Sequence, residues 1–469
     1  MQRKEQFIIW SLALYFGWIL SFPYFGEVLK KLSIVLDIDY SPLILAFLFF
    51  HALGYLVGAL FLKKPGHWQI LMYGSLSAII LLGAILWFLP NHLWVAVMAI
   101  IGFCSPFYIL GWSCLISTYP SSQKVKLYLN FIIRANLITV LLIYLSDMLT
   151  PAVLYFTKMI PLLIALGVLI KLMPSRDAAI STEKETGYQL PASFIIIIVL
   201  FISLLNLTLG LVYTVINSSY QVILGNQFIM KYYGFIPYFL PYVVILNLKR
   251  EIKLKYLIYT SVSLVGLAYV FLVFLGDNIL GFYLTITIIQ VGYALVAFFV
   301  WLLIGNLSTR YATPFRYFGF GLFALVVGSF FGGAFGNYLL NSGDSPQLIT
   351  ALSALAAIFV ALVFTPWLIE KSEEQPTNID QNNYRLLSSD QEYLEEFYLR
   401  GALTDREIEV VELLMKGYTN NTVAENLCIS ENTLKTHLRR IYRKYNVHKK
   451  SELLALITTK SFPDNNSSV

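Results

Sequence analysis

Twelve long runs of apolar residues constrain the fold of this chain more than any other feature. They cover residues 7–27, 42–62, 68–89, 93–117, 127–146, 151–172, 193–216, 229–248, 256–275, 279–305, 316–340 and 347–369. A helix needs roughly 20 apolar residues to cross the hydrocarbon core of a bilayer. Because the runs are continuously apolar and do not alternate, they favour helices over a β-barrel. The sequence therefore predicts an all-α protein with a twelve-helix transmembrane bundle in its first 369 residues.

Basic residues are unevenly divided between the segments that join these runs. If the N-terminus is cytoplasmic, the cytoplasmic segments hold Arg3, Lys4, Lys63, Lys64, Lys124, Lys126, Lys171, Arg176, Lys184, Lys249, Arg250, Lys253, Lys255, Arg310 and Arg316. The opposite segments carry Lys30 and Lys31, with Lys158 and Lys231 near the outer ends of spans. Positively charged loops stay on the cytoplasmic side. We therefore expect a multi-pass protein of the inner membrane with both termini in the cytoplasm.

The longest polar break among the runs, residues 173–192, divides them into halves at 1–172 and 193–369. Short basic connections at 63–64 and 249–253 fall at matching places in the two halves. This organisation resembles the major facilitator superfamily, whose halves surround a cavity near the bilayer midplane. The resemblance is architectural. The charged, glycine-flanked loop motif of that family is degenerate here, which weighs against proton- or sugar-coupled transport.

Six polar or charged side chains lie inside the predicted spans or at their ends, where burial is expensive and indicates function. These candidate ligand-pocket residues are Glu27, His51, Arg134, Asn136, Asn206 and Gln290. Arg134 is the strongest candidate, with Glu27 as a partner for its charge. The alternative is that Arg134 extends its guanidinium to the membrane surface. The three cysteines have no metal-binding spacing, and we predict no cofactor, no metal and no enzymatic activity.

Residues 370–401 are predicted to form a cytoplasmic linker. The first part is polar, contains Pro376 and reads as a flexible tether. The second part begins with a capping-box pattern at Ser389 and Glu392 and predicts a short helix. One face of this helix carries Tyr393, Leu394, Phe397 and Tyr398. We expect this face to pack on the terminal domain; a dimer seam is the alternative.

Residues 402–460 predict a small soluble domain of four helices, followed by a disordered tail at 461–469. Thr404 and Glu407 form a capping box for its first helix, and Ser430 caps the third. Apolar residues at helical spacing predict the buried face of the third helix: Leu434, Leu438, Ile441 and Tyr445.

Between residues 434 and 450 the chain holds seven basic residues and no acidic one. They are Lys435, Arg439, Arg440, Arg443, Lys444, Lys449 and Lys450. A basic helix that follows a short helix and a tight turn is typical of a helix-turn-helix that enters the major groove of DNA. The alternative is a basic face that is merely solvated.

The motifs LTDREIEV (403–410), AENL (424–427) and TLKTH (433–437) stand at a spacing that resembles the LuxR-type helix-turn-helix domain. The resemblance is highly specific and covers nearly all of residues 402–460. It implies that three side chains face base edges: Lys435, Thr436 and Arg439. It also implies contacts with the DNA backbone by Thr433, His437, Arg440, Arg443 and Lys444. For His437, a surface role at the helix is the alternative.

The last helix is the usual dimer surface in the LuxR-type family. The resemblance therefore implies that Leu453, Leu454 and Ile457 are shared between the core and a dimer interface, and that the protein binds DNA as a dimer. Tyr445 departs from the family, which usually has Leu there. Because tyrosine is still largely apolar, we expect the fold to survive this change.

These features together predict a membrane-bound, one-component transcription regulator. Its partners would be double-stranded DNA, the lipid bilayer and an unknown small-molecule ligand that the membrane domain senses. The main alternative is an active transporter of the major facilitator type with a regulatory DNA-binding tail. A third hypothesis is a membrane anchor that only tethers DNA.

Overall fold

The computed structural model describes residues 3–24, 26–62, 68–117, 119, 121–172, 192–216, 232–248, 252–275, 279–310, 314–342, 346–373, 391–415, 420, 423–424, 427 and 429–459. Regular structure within these ranges is helical throughout, which confirms the predicted all-α class. The helices fall into two compact units: a membrane unit that ends at Ser372 and a terminal unit that begins at Glu373.

The membrane unit contains fourteen described α-helices, eight before the central polar break and six after it. The first eight are α1 (Arg3–Ile19), α2 (Glu27–Leu36), α3 (Ser41–Phe61), α4 (Trp68–Leu86), α5 (Trp94–Ser117), α6 (Ser121–Met148), α7 (Pro151–Thr157) and α8 (Ile160–Leu172). The last six are α9 (Ala192–Leu211), α10 (Phe235–Asn247), α11 (Leu254–Leu275), α12 (Ile279–Arg310), α13 (Pro314–Asn341) and α14 (Pro346–Glu373).

The first helix of each half ends in a five-residue π-helical turn. Leu20–Tyr24 follows α1, and Val212–Ile216 follows α9. The two halves therefore share a local irregularity at the same place, as expected for a fold built from a repeated six-span unit.

Eleven helical stretches in the described residues are long and apolar enough to cross a membrane. They agree with eleven of the twelve predicted runs. The eighth run is represented by α10, an apolar helix of 13 residues. A helix of that length is too short to cross a bilayer by itself. The described residues thus contain eleven long spans and one short apolar helix, and the start of the eighth run, residues 229–231, lies outside them.

Glycines allow several membrane helices to pack backbone against backbone. A Cβ added to Gly332 of α13 would collide with the carbonyl of Leu207 on α9. One added to Gly102 of α5 would lie 2.5 Å from the carbonyl of Phe47 on α3. Small residues at such contacts are the usual way in which membrane helices approach closely. α13 also packs on α3, and this contact joins the two halves.

Buried tyrosines tie helices together inside each half. In the first half, Tyr15 of α1 donates a hydrogen bond to the carbonyl of Ser105 on α5, at 2.7 Å. In the second half, Tyr269 and Tyr293 both donate to Thr208 of α9, each at 2.8 Å. These phenol groups are buried where neither lipid nor apolar side chains could accept a hydrogen bond, so the bonds avoid the cost of unsatisfied donors.

The terminal unit consists of α15 (Gln391–Arg400), α16 (Asp405–Met415), α17 (Glu431–Lys444) and α18 (Lys450–Thr459). Of the predicted second helix, the described residues Asn420, Val423 and Ala424 are helical. The unit has its own buried core: Phe397, Val410, Val411, Leu414, Met415, Val423, Ala424, Leu434, Leu438, Ile441, Tyr445, Leu453 and Ile457. The predicted buried face of the third helix, now α17, is therefore confirmed.

Some predicted features lie outside the described residues. They are most of the central break, the first part of the linker with its Ser389 cap, and the tail at 461–469. The last membrane helix, α14, runs to Glu373 and so continues four residues beyond the predicted end of the bundle at 369.

Candidate DNA-binding surface and candidate ligand residues

The helix α17 begins at a side-chain cap. Ser430 precedes it in an extended conformation, and its hydroxyl accepts a hydrogen bond from the backbone N–H of Thr433 at 3.2 Å. This is the predicted cap, and it satisfies one of the free N–H groups at the start of a helix. The cap fixes where the helix starts and hence which residues fall on each face.

The two faces of α17 differ sharply. Leu434, Leu438 and Ile441 are at most 4% exposed and lie in the core. Helical periodicity therefore turns the intervening residues outward. The three predicted base-contacting side chains, Lys435, Thr436 and Arg439, are all exposed. The Nζ of Lys435 lies 3.9 Å from Oε2 of Glu431 in an exposed ion pair. Such pairs are weak, so the ammonium can exchange this partner for DNA at little cost.

Most of the predicted DNA-backbone contacts also lie on the open surface of α17. Thr433, Arg440 and Arg443 are exposed, and His437 is half-buried. The structure thus brings both predicted sets together on one helix. Their contacts with DNA remain predictions.

Lys444 has a second role that the sequence reasoning missed. Its Nζ lies 2.6 Å from Oε2 of Glu407 and donates to the carbonyl of Ala402, also at 2.6 Å. Glu407 is 2% exposed. Lys444 therefore fastens the end of α17 to the start of α16, and a contact with a phosphate would have to use its remaining donor. The only sequence signal for this pair was the capping-box position of Glu407.

Glu407 also completes the predicted capping box of α16. Its carboxylate accepts from the N–H of Thr404 at 3.0 Å, and its own N–H donates to the Thr404 hydroxyl at 3.4 Å. Burial raises the pKa of Glu407, but hydrogen bonds from Lys444 and Thr404 outweigh it and hold the pKa below its usual value of 4.5. Glu407 is therefore ionised in the folded domain at neutral pH, and its charge stabilises the fold through these hydrogen bonds.

We expect acid to destabilise the terminal unit through Glu407. A carboxyl whose pKa is lower in the folded state stabilises the fold above its unfolded pKa, and this stabilisation is lost as the pH falls through the folded pKa. Urea unfolding of the fragment 391–469 should show a larger loss of stability between neutral pH and about pH 3 for the wild type than for Glu407→Gln. The matched control is Glu409→Gln, whose carboxylate is half exposed. Equal acid sensitivity of wild type and Glu407→Gln would contradict this assignment.

The linker helix α15 packs on the terminal core through an aromatic stack. The rings of Phe397 and Tyr445 are parallel within 7°, with centroids 4.2 Å apart. The Tyr445 hydroxyl donates to the carbonyl of Phe397 at 2.6 Å. A Cβ on Gly401 would collide with this phenol. The residue that departs from the family is thus the one that holds the linker helix on α17.

The predicted dimer residues divide between the core and the surface of α18. Leu453 and Ile457 are buried within the terminal unit of one chain, and Leu454 is half-buried against the same core. A dimer through this helix remains a prediction.

Within the described residues, no hydrogen bond or ion pair joins any two of the six candidate ligand residues. Asn136 and Asn206 are buried, and each donates to a carbonyl one turn earlier on its own helix, at 2.9 Å. His51 is 3% exposed, and its Nδ1 lies 2.6 Å from the Ser105 hydroxyl. These three side chains therefore have partners inside the bundle.

Arg134 lies over the ring of Trp10, with its Cζ 4.6 Å from the ring centroid. Its Nη1 is buried and has no hydrogen-bond partner among the described residues. Glu27 starts α2 and is half-buried, and Gln290 lies on α12 beside Gly234. A ligand role for these residues remains a prediction.

Sequence reasoning missed two fully buried lysines. Lys124 was predicted to lie in a cytoplasmic connecting segment. Its Nζ is buried and donates to the carbonyl of Gly305 at 2.9 Å and to the hydroxyl of Thr309. Lys158, assigned to an outer end, is buried beneath aromatic rings. The sequence signal for the burial of Lys158 was its position, because it lies seven residues inside an apolar run.

The terminal unit matches a known family. Residues 401–457 match the model of a protein family described as "Bacterial regulatory proteins, luxR family". The transcriptional regulatory protein DegU of Brevibacillus brevis is 32% identical over 117 residues, which are 24% of this chain and 48% of that protein. The chain thus spans about half the length of this relative.

The membrane unit is similar in fold to solved transporters. One is a bacterial homologue of the iron transporter ferroportin in its outward-facing state, with a TM-score of 0.59 and 13% identity over 79% of this chain and 99% of that one. Another is FucP, a major facilitator superfamily transporter in its outward conformation, with a TM-score of 0.54 and 11% identity over 77% and 99%. Residues 401–457 therefore form a domain of the luxR family, and the unit that precedes them has eleven candidate membrane spans and shares its fold with these solved transporters.

Proposed function

We propose that this protein is a membrane-bound, one-component transcription regulator. The observation that carries the proposal is the exposed basic face of α17, in a luxR-family domain on a chain whose other unit has eleven candidate membrane spans. DegU, with which the domain shares sequence, is a transcriptional regulatory protein. A membrane unit in the same chain offers a source of input.

DNA binding follows from the chemistry of the exposed face. α17 enters the major groove, where the long donors of Lys435 and Arg439 suit guanine and the methyl group of Thr436 suits thymine. Arg440 and Arg443 bind phosphates and supply affinity that depends on salt. Two chains paired through α18 would read half-sites about one DNA turn apart.

We infer an orientation in the inner membrane that leaves the termini, and with them α17, in the cytoplasm. The excess of Lys and Arg in one set of connecting segments supports cytoplasmic termini. DNA binding requires the same orientation, because the terminal unit must face the cytoplasm.

Sensing requires a ligand that binds one state of the membrane unit more tightly than another. Lys124 of α6 reaches Gly305 and Thr309 of α12 and so joins the first half to the second near their predicted cytoplasmic ends. In folds built from two such halves, contacts at one end are made and broken when the halves rock. The Lys124 contact is therefore a natural point at which the two states differ.

We expect Lys124→Met to shift the output of the regulator. A hydrogen bond to a charged group contributes about 1.5–3 kcal/mol, so the balance of states should move by about ten- to a hundredfold. A transcriptional reporter of a bound promoter, measured in cells, should show altered basal output. Lys126→Met is the matched control, since Lys126 is exposed on the same helix. Identical output from both variants and the wild type would contradict a switching role for this contact.

Replacing the membrane unit tests sensing as a whole. Residues 1–369 are exchanged for an unrelated membrane segment that leaves the terminal unit in the cytoplasm. The proposal predicts that the chimera binds DNA but no longer responds to growth conditions. Regulated transcription by the chimera would favour a simple anchor and overturn the sensor.

Active transport is the second candidate, and the major facilitator fold favours it. Flux of candidate compounds in vesicles, lost in Arg134→Ala, would support it. Flux together with regulation would make the protein a transporter with a regulatory tail.

A further inference from the structure

Lys158 is a buried cation for which the described residues offer no acceptor. It lies between α7 and α8, within the sixth membrane span, and is 0% exposed. Its Nζ has no hydrogen-bond partner among the described residues. Lys124, also buried, shows the usual solution, because its ammonium donates to a carbonyl and a hydroxyl. A buried ammonium without an acceptor or counter-ion is costly.

Aromatic rings surround the ammonium. Nζ lies 3.2 Å from the ring centroid of Phe22 and 3.8 Å from that of Tyr155. The Trp87 ring packs on Tyr155, with centroids 4.7 Å apart. Cation–π attraction stabilises the charged form of the lysine. It leaves the three N–H donors without a hydrogen-bond acceptor.

Both membrane spans that contribute to the surroundings of Lys158 have an interrupted α-helix at this point. α1 passes into the π-helical turn Leu20–Tyr24, which contains Pro23 and presents Phe22. α7 ends at Thr157 and α8 begins at Ile160, with Lys158 in the break. Single π-helical turns and broken membrane helices are frequent at functional sites, because they free backbone groups and re-aim side chains.

A second unsatisfied donor lies on the same helix as Phe22, one turn before it. The indole Nε1 of Trp18 is buried without a partner among the described residues, and the Trp18 and Phe22 rings are 6.3 Å apart. Lys158 and Trp18 can only donate. What is missing is therefore an acceptor, and a negatively charged acceptor would also neutralise the buried ammonium.

We propose that Lys158 and Trp18 bind the charged group of an organic anion, a carboxylate with an apolar or aromatic body that packs on Phe22 and Tyr155. The predicted topology puts the site near the extracytoplasmic end of the first half. The proposal deepens the proposed function, since it names the class of molecule that the membrane unit would sense. Binding itself can be measured without any transcriptional readout.

The test uses the full-length protein in nanodiscs of phosphatidylcholine, which carries no net charge. Benzoate and octanoate are titrated against their neutral analogues benzamide and octanamide, and binding is followed by tryptophan fluorescence and thermal stability. We expect saturable binding of a carboxylate but of neither amide. Lys158→Met should weaken that binding about ten- to a hundredfold. Lys171→Met, an exposed lysine at the other end of the same span, should not change it.

Two further variants keep the test decisive if Lys158→Met does not fold. Lys158→Arg retains the charge and should retain binding, and Trp18→Phe removes only the indole donor and should weaken it. Equal binding of amides and carboxylates, or carboxylate binding unchanged in Trp18→Phe and Lys158→Met, would overturn the proposal. So would the absence of any carboxylate binding.

An anionic lipid headgroup shares the chemistry of the proposed ligand. Nanodiscs that also contain phosphatidylglycerol separate the two sources. Loss of benzoate binding in these nanodiscs alone would assign the site to lipid and overturn the soluble ligand. Carboxylate binding with no effect on a reporter would leave this site standing and count against the proposed sensing function.

Discussion

Replacing both Lys435 and Arg439 with alanine is expected to weaken sequence-specific DNA binding by a factor of at least about 30 and to leave the terminal fold intact. Both side chains are exposed on α17 and neither contributes to the core. Each good base contact discriminates by about 1–3 kcal/mol, so the pair should account for about 2–6 kcal/mol. Affinity for a selected site should fall by about 30-fold to more than 10⁴-fold, measured by fluorescence anisotropy.

The control for this double variant removes two positive charges from other positions in the terminal unit. Arg400 and Lys449 are exposed, lie outside α17 and form surface ion pairs with Glu396 and Glu452. Changing both to alanine should weaken specific and non-specific binding only slightly. If Lys435→Ala with Arg439→Ala weakened binding equally on all sequences, the two residues would be phosphate contacts. Unchanged affinity would contradict the assignment of α17 as the reading helix.

Tyr445→Ala is expected to release the linker helix α15 from the terminal domain. The change removes a stacked ring contact at 4.2 Å and a hydrogen bond to the backbone of Phe397. Loss of a large buried aromatic side chain costs about 3–5 kcal/mol. Urea unfolding of the fragment 391–469 should report this loss, and amide hydrogen exchange should show faster exchange in α15 than in α16.

Two milder substitutions divide the effect of Tyr445 into its parts. Tyr445→Phe keeps the stack and should cost about 0.5–1.5 kcal/mol for the hydrogen bond. Tyr445→Leu restores the residue usual in the family and should keep the core filled but lose the stack. Protection of α15 that is the same in Tyr445→Ala and the wild type would show that this residue does not hold the linker helix.

Much of the architecture follows from simple patterns in the sequence. Long apolar runs have few alternatives to membrane helices, so eleven spans were predicted close to their observed bounds. The buried face of α17 was predictable because Leu434, Leu438 and Ile441 repeat at helical spacing beside charged residues. The caps at Thr404 and Ser430 depend on local sequence alone, and both are present.

The missed features depend on contacts between distant residues. Lys444 has the composition of a DNA contact, yet its partner Glu407 lies 37 residues earlier in the chain. Lys158 looked like a membrane-surface lysine, because nothing local shows that α1 bends a π-helical turn over it. Such positions need the tertiary structure.

A membrane-bound transcription regulator must act on specific DNA sites in the cell while it is held in the membrane. The most direct measurement is genome-wide DNA occupancy of the full-length protein in its native cells, for the wild type and for Lys435→Ala with Arg439→Ala. We expect discrete peaks for the wild type, and we expect the double variant to lose them while it remains in the membrane fraction at the same level. No peaks under several growth conditions, or peaks that the double variant retains, would contradict it.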